Sequence, residues 1–332
     1  MIGATSPLVS VLLPVYNGVE YLADGVKSIL AQSYDNFELI IINDGSRDDS
    51  AKIVDQFTDA RIRAYHQSNL GLAATLNRGI QLARGKYLAR QDQDDLSLPQ
   101  RFQKQVAFLE THEEYGMVGT WAEIRSTDKT APKLHSHPSE SITLKFELLF
   151  DNPFVHSSMM IRKTVFDRVG GYTTDKTRQP PEDYELWSRV ARNFEVANIP
   201  EVLHIYRDVP SSMSKGAVNP FLENVMKISA ENISLLTGRD KHDPVIHNLA
   251  ALSHAAYHKV IGRPSLPELR SALVQAAEQL CGNCNVPPSV LSEKVQWRID
   301  NLRNHFLQWR RETGTIRKFK DFIRGIKRVV VR

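Results

Sequence analysis

Apolar and polar positions in the first two thirds of the chain follow two alternating patterns. Short apolar runs, typical of buried strands, are separated by segments in which apolar residues recur every three or four positions, as on one face of a helix. The predicted strands occupy residues 8–13, 37–42, 62–65, 87–89, 117–124 and 154–161. The predicted helices occupy residues 19–31, 50–57, 71–83, 100–112, 163–169 and 182–192. Strands that alternate with helices predict an α/β fold, with a mostly parallel sheet flanked by helices.

The last third of the chain has helical patterns without strand signals. These patterns begin at about residue 219. We therefore expect an α/β domain in residues 1–215 and a helical C-terminal extension in residues 216–332.

A basic amphipathic segment, residues 315–332, ends the chain. Its Lys and Arg residues outnumber a single acid, Asp321, although the formal net charge of the whole chain is only +4. Five apolar residues share one helical face: Ile316, Phe319, Ile323, Ile326 and Val330. This pattern predicts a helix that binds an anionic membrane surface. The alternative is a helix packed on its own domain, and no nucleic-acid partner is expected.

Two further features bear on localisation. The longest apolar runs are far shorter than the roughly 20 residues that span a bilayer, and the N-terminus lacks the basic and apolar stretches of a secretory signal. We therefore expect a cytoplasmic protein, held peripherally at the inner face of the cell membrane by its tail.

Cys281 and Cys284 are the two cysteines of the chain. They are either a redox or metal pair, or two ordinary thiols.

The residues that could bind a ligand or take part in catalysis follow the predicted strands. In open α/β sheets the ligand binds beyond the carboxyl ends of the strands, so the segments after the first four strands should line one crevice. These segments are residues 14–17, 43–46, 67–71 and 92–95. The sequence has no glycine-rich phosphate loop, which disfavours nicotinamide-dependent hydride transfer and ATP hydrolysis.

Two acidic features in these segments indicate ligand binding. Asp92, Asp94 and Asp95 place three carboxylates after the fourth strand, where a Mg²⁺ or Mn²⁺ ion would relieve their repulsion and bridge to substrate phosphates. Asp44 follows the second strand, where it can accept hydrogen bonds from a base or a ribose. Both features also have a plainer explanation, because acidic loops and Asn-Asp-Gly-Ser turns are common on protein surfaces.

Five motifs, taken in order, resemble those of family 2 glycosyltransferases with the GT-A fold. The motifs are Val9-Ser10-Val11-Leu12-Leu13-Pro14-Val15-Tyr16-Asn17, Asn43-Asp44-Gly45-Ser46, Asn69-Leu70-Gly71-Leu72, Asp92-Gln93-Asp94-Asp95 with Pro99 and Arg101 beyond it, and Glu182-Asp183 followed by Trp187. The resemblance spans roughly residues 8–208. It implies that residues 1–215 form a catalytic domain with nucleotide-sugar and acceptor sites.

The resemblance also implies a reaction and a set of site residues. The reaction is an inverting hexosyl or N-acetylhexosaminyl transfer from a nucleoside-diphosphate sugar, expected to be a UDP-sugar. The residues implied to bind this donor are Pro14, Val15, Tyr16, Asn17, Asp44, Asn69, Gly71, Asp92 and Asp94. The divalent cation is assigned to Asp94 first, Asp92 second and Asp95 third. Asp183 is the implied general base, and Glu182 is its neighbour.

The acceptor is expected to be a saccharide or a lipid-linked saccharide, in the synthesis of cell-surface polysaccharide or glycolipid. Two other functions stay open. A sugar nucleotidyltransferase also uses a metal and acidic residues, but normally has a Gly-rich loop with Arg and Lys where residues 14–18 stand. A non-catalytic nucleotide-sugar-binding protein would keep most of the same carboxylates. His156 is either an acceptor contact or a structural residue.

Overall fold

Two compact units make up the chain in the computed structural model, Met1–Asn224 and Val225–Arg332. The structure describes residues 8–126, 131–209 and 221–330, and the side chains of these ranges as far as residue 314. The division between the units falls at Asn224. The boundary expected from the sequence, between residues 215 and 216, lies outside the described residues.

A mixed β-sheet forms the centre of the first unit. Its strands are β1 (Val9–Val15), β2 (Phe37–Asp44), β3 (Ile62–Gln67), β4 (Tyr87–Arg90), β5 (Leu96–Ser97), β6 (Tyr115–Ser126), β7 (Lys133–His135), β8 (Met160–Arg162) and β9 (Glu195–Asp208). Their order across the sheet is β3-β2-β1-β4-β8-β6-β9-β5, and β7 pairs with β6. The first four strands are parallel, whereas β8 is antiparallel to both β4 and β6. The predicted α/β class is confirmed, with a sheet that is parallel in its first half and mixed beyond β4.

Helices cover this sheet because its central strand is apolar on both faces. The helices are α1 (Leu22–Leu30), α2 (Ser50–Asp55), α3 (Leu72–Leu82), α4 (Arg101–Thr111), α5 (Ser141–Glu147), α6 (Lys163–Val169) and α7 (Glu182–Ala191). In β1, Val9 and Val11 join a core cluster with α1 and α4. Leu12 points the other way, toward Gly79 of α3. Each buried Val or Leu is worth about 1.5–3 kcal/mol, so both faces of β1 favour a helix.

The second unit is helical throughout its described part. After α8 (Phe221–Thr237), which contains the division between the units, come α9 (Pro244–Ser253), α10 (Leu266–Asn283) and α11 (Ser292–Val330). Cys281 is buried in α10, and no disulfide joins Cys281 to Cys284. Among the helices of residues 8–126, 131–209 and 221–330, none combines the length and the apolar character that crossing a bilayer requires.

The main element that the prediction missed is β9. The sequence pattern gave residues 195–208 no strand, because Pro200 interrupts the apolar run. The strand nevertheless continues past this residue: Ile199 pairs with Thr120, and the next pair joins Val202 to Trp121. Pro200 and Glu201 are left out of the register and exposed. A bulge suits a proline, which cannot donate a hydrogen bond to the ladder.

Smaller elements also differ from the prediction. The expected strand at residues 154–161 is shorter, because a single turn of 3₁₀ helix at His156–Ser158 precedes β8. The helix α5 and the short strands β5 and β7 were not predicted. The two strands span only two and three residues, too few for a periodic pattern to show.

Candidate functional site

The segments that follow β1 and β2 are joined by hydrogen bonds at the carboxyl end of the sheet. We call residues 15–19 the first loop. The backbone amide of Asn17 donates to Ser46 Oγ at 3.0 Å, and the amide of Gly18 donates to Ser50 Oγ at 2.8 Å. In return, Asn17 Oδ1 accepts a hydrogen bond from Arg47 N at 2.8 Å. The first loop is therefore fixed on the side that faces β2.

Pro14 and Val15 belong to the end of β1, and their contact with a nucleoside stays a prediction. β1 continues to Val15, and both side chains are buried in it. The pairing of β1 with β4 ends at Leu12, so Pro14 meets no ladder partner there and its missing N–H costs nothing on that side. Of the four predicted contacts in this segment, Tyr16 and Asn17 are exposed.

Asp44 organises the neighbouring loop, residues 67–71. Asp44 is only 4% exposed, and its Oδ1 accepts hydrogen bonds from Gln67 Nε2 at 2.7 Å and from Leu70 N at 2.8 Å. Its Oδ2 accepts from Gly71 N at 2.9 Å, and Asn69 Nδ2 donates to its carbonyl oxygen at 3.0 Å. The structure thus brings Asp44, Asn69 and Gly71 together. A direct contact between Asp44 and a nucleotide stays a prediction.

Asp92 and Asp94 are half-buried in the segment after β4. Arg90, which is 2% exposed, donates from Nη2 to Asp92 Oδ1 at 2.6 Å. Burial, together with the charges of Asp92 and Asp95, raises the pKa of Asp94 to about 7. Ionising Asp94 is therefore costly in these surroundings, and a cation would lower that cost.

Asp95 requires a correction, because its carboxylate is enclosed by the protein whereas those of Asp92 and Asp94 are half-buried. It is 1% exposed, and its Oδ2 accepts hydrogen bonds from Ser157 Oγ and from His204 Nε2, the latter at 3.1 Å. Its Oδ1 accepts from Arg207 N at 2.9 Å. Since both oxygens are already engaged inside the protein, Asp95 is a structural residue that ties the acidic segment to β9. The assignment of Asp95 as a third metal ligand is therefore wrong.

Arg101, quoted above as part of a motif, supports the acidic segment from within the core. It is fully buried and donates from Nη1 to Ser97 Oγ at 2.6 Å and to Gln91 Oε1 at 3.1 Å. Its Nη2 donates to the carbonyl oxygen of Arg90 at 2.7 Å. Burial lowers the pKa of Arg101 to about 9. The end of β4 is thus held by a buried fork of hydrogen-bond donors.

Glu182 and Asp183 form a second acidic group at the start of α7. Asp183 is half-buried; its Oδ2 accepts a hydrogen bond from Asn152 Nδ2 at 2.8 Å, and its Oδ1 accepts one from Tyr184 N at 2.7 Å. Burial and the neighbouring Glu182 raise the pKa of Asp183 to about 7. Burial also raises the pKa of Glu182, where the charge of Asp92 adds to the rise and that of Arg90 opposes it. The two acidic groups therefore lie close enough to interact.

An aromatic cluster lies within the electrostatic reach of this acidic group. His156 Nε2 is 2.9 Å from the Tyr172 hydroxyl oxygen, and the His156 ring meets the Trp187 ring edge to face at 5.8 Å. Burial and the charge of Arg90 hold the pKa of His156 well below its ordinary value. Burial also raises the pKa of Tyr172, and the charges of Asp183 and Glu182 add to that rise. His156 is therefore a neutral residue hydrogen-bonded within the protein.

The donor set of the acidic segment fits a divalent cation. Asp92 and Asp94 offer the carboxylate oxygens that Mg²⁺ and Mn²⁺ prefer. Burial and the charges of Asp92 and Asp95 raise the pKa of Asp94, and a cation would offset both. Within the described residues, no three His, Cys, Asp or Glu side chains are grouped to hold a metal on their own. A cation held by Asp92 and Asp94 would thus need ligand oxygens or water to complete its coordination.

Sequence reasoning missed three residues that fix these groups. Arg90 follows the predicted strand at residues 87–89, and a basic residue two positions before an acidic run is a signal of charge pairing. Asn152 lies in a segment without a periodic pattern. Gln93 lies between Asp92 and Asp94, and only these two carboxylates indicated a chemical role. The roles of Asn152 and Gln93 depend on contacts with residues far away in the sequence, which no local pattern displays.

Comparison with known proteins identifies one family. Residues 10–170 match the model described as Glycosyl transferase family 2. The chain is 35% identical over 231 residues to EpsE of Bacillus subtilis (strain 168), which is named as a glycosyltransferase; the match covers 68% of this chain and 81% of that protein. It is 33% identical over 263 residues to an uncharacterized glycosyltransferase of Haemophilus influenzae, covering 74% of this chain and 79% of that protein.

Solved structures show the same fold. S. aureus TarS 1–349 in complex with UDP-GlcNAc matches with a TM-score of 0.60 and 17% identity, covering 92% of both chains. The mannosyltransferase PcManGT from Pyrobaculum calidifontis, in complex with GDP-Man and Mn²⁺, matches with a TM-score of 0.51 and 16% identity, covering 92% of this chain and 88% of that one. The expected fold, a mixed sheet flanked by helices with a helical C-terminal region, is confirmed.

Proposed function

Because the chain belongs to the family 2 glycosyltransferases, we propose that it transfers a sugar from a nucleoside-diphosphate sugar to an acceptor hydroxyl, with inversion at the anomeric carbon. Asp183 is the general base in this proposal. Asp92 and Asp94 lie at the donor's diphosphate, and Tyr16, Asn17, Asp44, Asn69 and Gly71 surround its nucleoside.

One observation carries the proposal: the acidic segment after β4 and the acidic start of α7 share one electrostatic environment. Arg90 donates a hydrogen bond to Asp92, and its charge also favours the ionised forms of Glu182 and Asp183. Glycosyl transfer needs both functions close together, since a nucleoside diphosphate leaves from one face of the sugar while the acceptor hydroxyl loses its proton and attacks from the other.

The environment of Asp183 suits a base. A general base works best when its pKa lies near the operating pH, and the pKa of Asp183 is about 7. Asn152 Nδ2 and Tyr184 N hold one carboxylate oxygen each, which fixes the plane of the group. In the reaction, Asp183 takes the proton of the acceptor hydroxyl while the oxygen of that hydroxyl bonds to the anomeric carbon. The nucleoside diphosphate leaves from the opposite face, which inverts that carbon.

A divalent cation, Mg²⁺ or Mn²⁺, would supply positive charge to the departing diphosphate. Asp94 is the first ligand we assign to it and Asp92 the second. Arg90 keeps Asp92 in place through its hydrogen bond, so the protein contributes the orientation of at least one of the two carboxylates.

We further propose a UDP-sugar as the donor, and a saccharide or lipid-linked saccharide as the acceptor. The TarS structure with UDP-GlcNAc supports the nucleotide, since it has the higher TM-score of the two structures above. A role in cell-surface polysaccharide or glycolipid synthesis, in the cytoplasm and next to the membrane, accords with the basic tail predicted from the sequence.

The test is an incubation of the protein with a panel of UDP-, GDP- and dTDP-sugars, with and without Mn²⁺. Metal-dependent release of nucleoside diphosphate, lost in Asp183→Asn, is the expected result. Release of pyrophosphate from a nucleoside triphosphate and a sugar phosphate would identify a nucleotidyltransferase instead. Nucleotide-sugar binding without turnover of any donor, across a set of saccharide acceptors, would identify a binding protein.

A further inference from the structure

The side-chain amide of Gln93 connects the acidic segment to the first loop. Its Oε1 accepts a hydrogen bond from Tyr16 N at 2.9 Å, and its Nε2 donates one to Tyr16 O at 3.0 Å. One amide therefore engages both backbone groups of one residue. Two parallel hydrogen bonds of this kind fix the orientation of the residue as well as its distance, which a single bond cannot do.

The first loop passes close beneath this amide. A Cβ atom placed on Gly18 would lie 2.3 Å from Gln93 Oε1, which no pair of non-bonded atoms tolerates. Any preference for glycine at this position comes from the amide, because φ of Gly18 lies outside the left-handed region and a larger residue would push the end of the Gln93 side chain aside. Gln93 and Gly18 are thus fitted to each other across 75 residues of sequence.

The other contacts of the first loop are on its opposite side. Ser46 and Ser50 hold the amides of Asn17 and Gly18 toward β2, and neither contacts Tyr16 in the hydrogen bonds described above. On the side that faces the acidic segment, the hydrogen bonds that hold the first loop come from Gln93. Tyr16 is 43% exposed, a large fraction for an aromatic residue whose backbone is fixed at both polar groups.

We propose that Gln93 is a positioning residue for the donor nucleotide. It sets the distance between the exposed ring of Tyr16, on which a nucleobase can stack, and the carboxylates of Asp92 and Asp94, which flank Gln93 in the sequence and serve the diphosphate. A nucleoside diphosphate spans both places, so it binds tightly only when that distance is fixed. The inference rests on the proposed function and extends it to a residue outside the reacting groups.

The experiment compares Gln93→Ala and Gln93→Met with the wild type. Methionine keeps most of the volume of glutamine but makes neither hydrogen bond. Calorimetry with UDP and Mn²⁺ should show about tenfold weaker binding in both variants. The KM for the donor should rise by a similar factor, while kcat stays within about threefold of the wild-type value. Thermal melting of each variant verifies that it is folded.

Gln103→Ala is the matched control. Gln103 is an exposed glutamine of α4 that accepts one hydrogen bond, from Ser33 Oγ at 3.1 Å, and does not contact the first loop in the bonds described. It should bind UDP as the wild type does. Wild-type affinity in both Gln93 variants, or an equal loss in Gln103→Ala, would overturn the inference.

Gly18→Ala provides a second, independent measurement. The added methyl group should displace the amide of Gln93 and weaken UDP binding by itself. In the double variant Gly18→Ala, Gln93→Ala the clash is gone together with the amide, so its affinity should equal that of Gln93→Ala alone. Losses that multiply would contradict a shared mechanism. A wild-type protein that binds neither UDP nor GDP would overturn the proposed function itself, whereas tight wild-type binding with unaffected variants would overturn only the role of Gln93.

Discussion

At the scale of single residues, the carboxyl group of Asp183 predicts an unusual pH dependence. An aspartate of ordinary pKa is ionised well below neutral pH, but burial and the charge of Glu182 raise the pKa of Asp183 to about 7. Only the ionised form can accept a proton, so kcat/KM should rise about tenfold per pH unit below 7 and level off above it. Steady-state rates between pH 5.5 and 8.5 measure this.

Asn152→Ala tests whether Asp183 is the group that sets that pH profile. The Nδ2 group of Asn152 donates to Asp183 Oδ2 and favours the ionised form. Removing it should move the midpoint of the profile to higher pH and lower kcat at pH 7. A midpoint that Asn152→Ala leaves unchanged would assign the base to another group.

The same raised pKa predicts a cost in stability. The unfolded chain releases the Asp183 proton near pH 4, whereas the folded protein keeps it until about pH 7. Stability therefore falls as the pH rises through this window. Asp183→Asn removes the titration, so its Tm should exceed that of the wild type at pH 8, by about 2–4 °C for each 1 kcal/mol gained. Near pH 4 the difference should disappear, and calorimetric melting at both pH values decides the matter.

Asp94→Ala should separate donor binding from folding. If Asp94 joins a cation to the donor diphosphate, the variant loses the part of the UDP affinity that depends on Mn²⁺ and loses most turnover. It should melt no earlier than the wild type, because Asp94 is costly to ionise in the free protein. Calorimetry with and without Mn²⁺ measures the first effect. A metal-dependent affinity that survives the substitution would remove Asp94 from the metal site.

Sequence reasoning placed Asp92 and Asp94 after a strand and Asp183 at the start of a helix, as the structure has them, but could not give their orientation. The resemblance to the family implied the role of Asp183, and the roles of all three stay predictions. Asp95 looks identical to Asp94 in the sequence, and only its distant partners Ser157 and His204 show that it points inward. A pattern reports which end of a strand a residue occupies, whereas its contacts depend on which other segments fold against it.

At the scale of elements, the α6–α7 connection depends on Arg189. This residue of α7 donates from Nε and Nη2 to the carboxylate of Glu185, at 3.0 and 2.7 Å to different oxygens. Its Nη2 also donates to Gly171 O at 2.7 Å, and its Nη1 donates to Val169 O. One side chain thus joins the helix that carries Asp183 to the segment that precedes it.

Arg189→Ala should destabilise the protein by about 2 kcal/mol, because it leaves the buried Glu185 with Arg178 as a more distant partner, at 3.5 Å. Urea denaturation gives the free energy of unfolding. Lys104→Ala, which removes a cation paired with the more exposed Glu201, is the control and should stay within about 0.5 kcal/mol of the wild type. Equal losses in the two variants would contradict the special position of Arg189.

The elements that sequence patterns predicted best are those buried by local neighbours. β1 and β2 are continuous apolar runs, and α3 has apolar residues at helical spacing. Their observed bounds differ from the prediction by only a few residues. β9 was missed because its partner β6 lies some 80 residues earlier in the chain and tolerates a bulge at Pro200. The pairing energy that makes residues 195–208 a strand is therefore supplied by a distant segment.

At the scale of the whole molecule, the basic tail remains a prediction. The backbone of α11 runs to Val330, but the side chains of residues 315–332 lie outside the described residues. If their apolar face enters the headgroup region of a membrane, each basic residue adds about 1 kcal/mol through anionic lipid. The full chain should then sediment with vesicles that contain anionic lipid, and salt should release it.

A chain that ends at Gly314 is the comparison for this measurement. It should stay in the supernatant with the same vesicles. Equal sedimentation of both chains, or binding that ignores salt and lipid charge, would indicate that the tail packs on its own unit.

The fit between Gly18 and Gln93 has a consequence for how relatives of this protein diverge. A Cβ atom at position 18 would lie 2.3 Å from Gln93 Oε1, so a change at either position alters what the other tolerates. Where a lineage exchanges the glutamine for a smaller residue, the glycine is released from its constraint and can drift to alanine or serine. Where the glutamine persists, the glycine should persist with it. In an alignment of homologues, positions 18 and 93 should therefore vary together, and the order of the changes should run from residue 93 to residue 18.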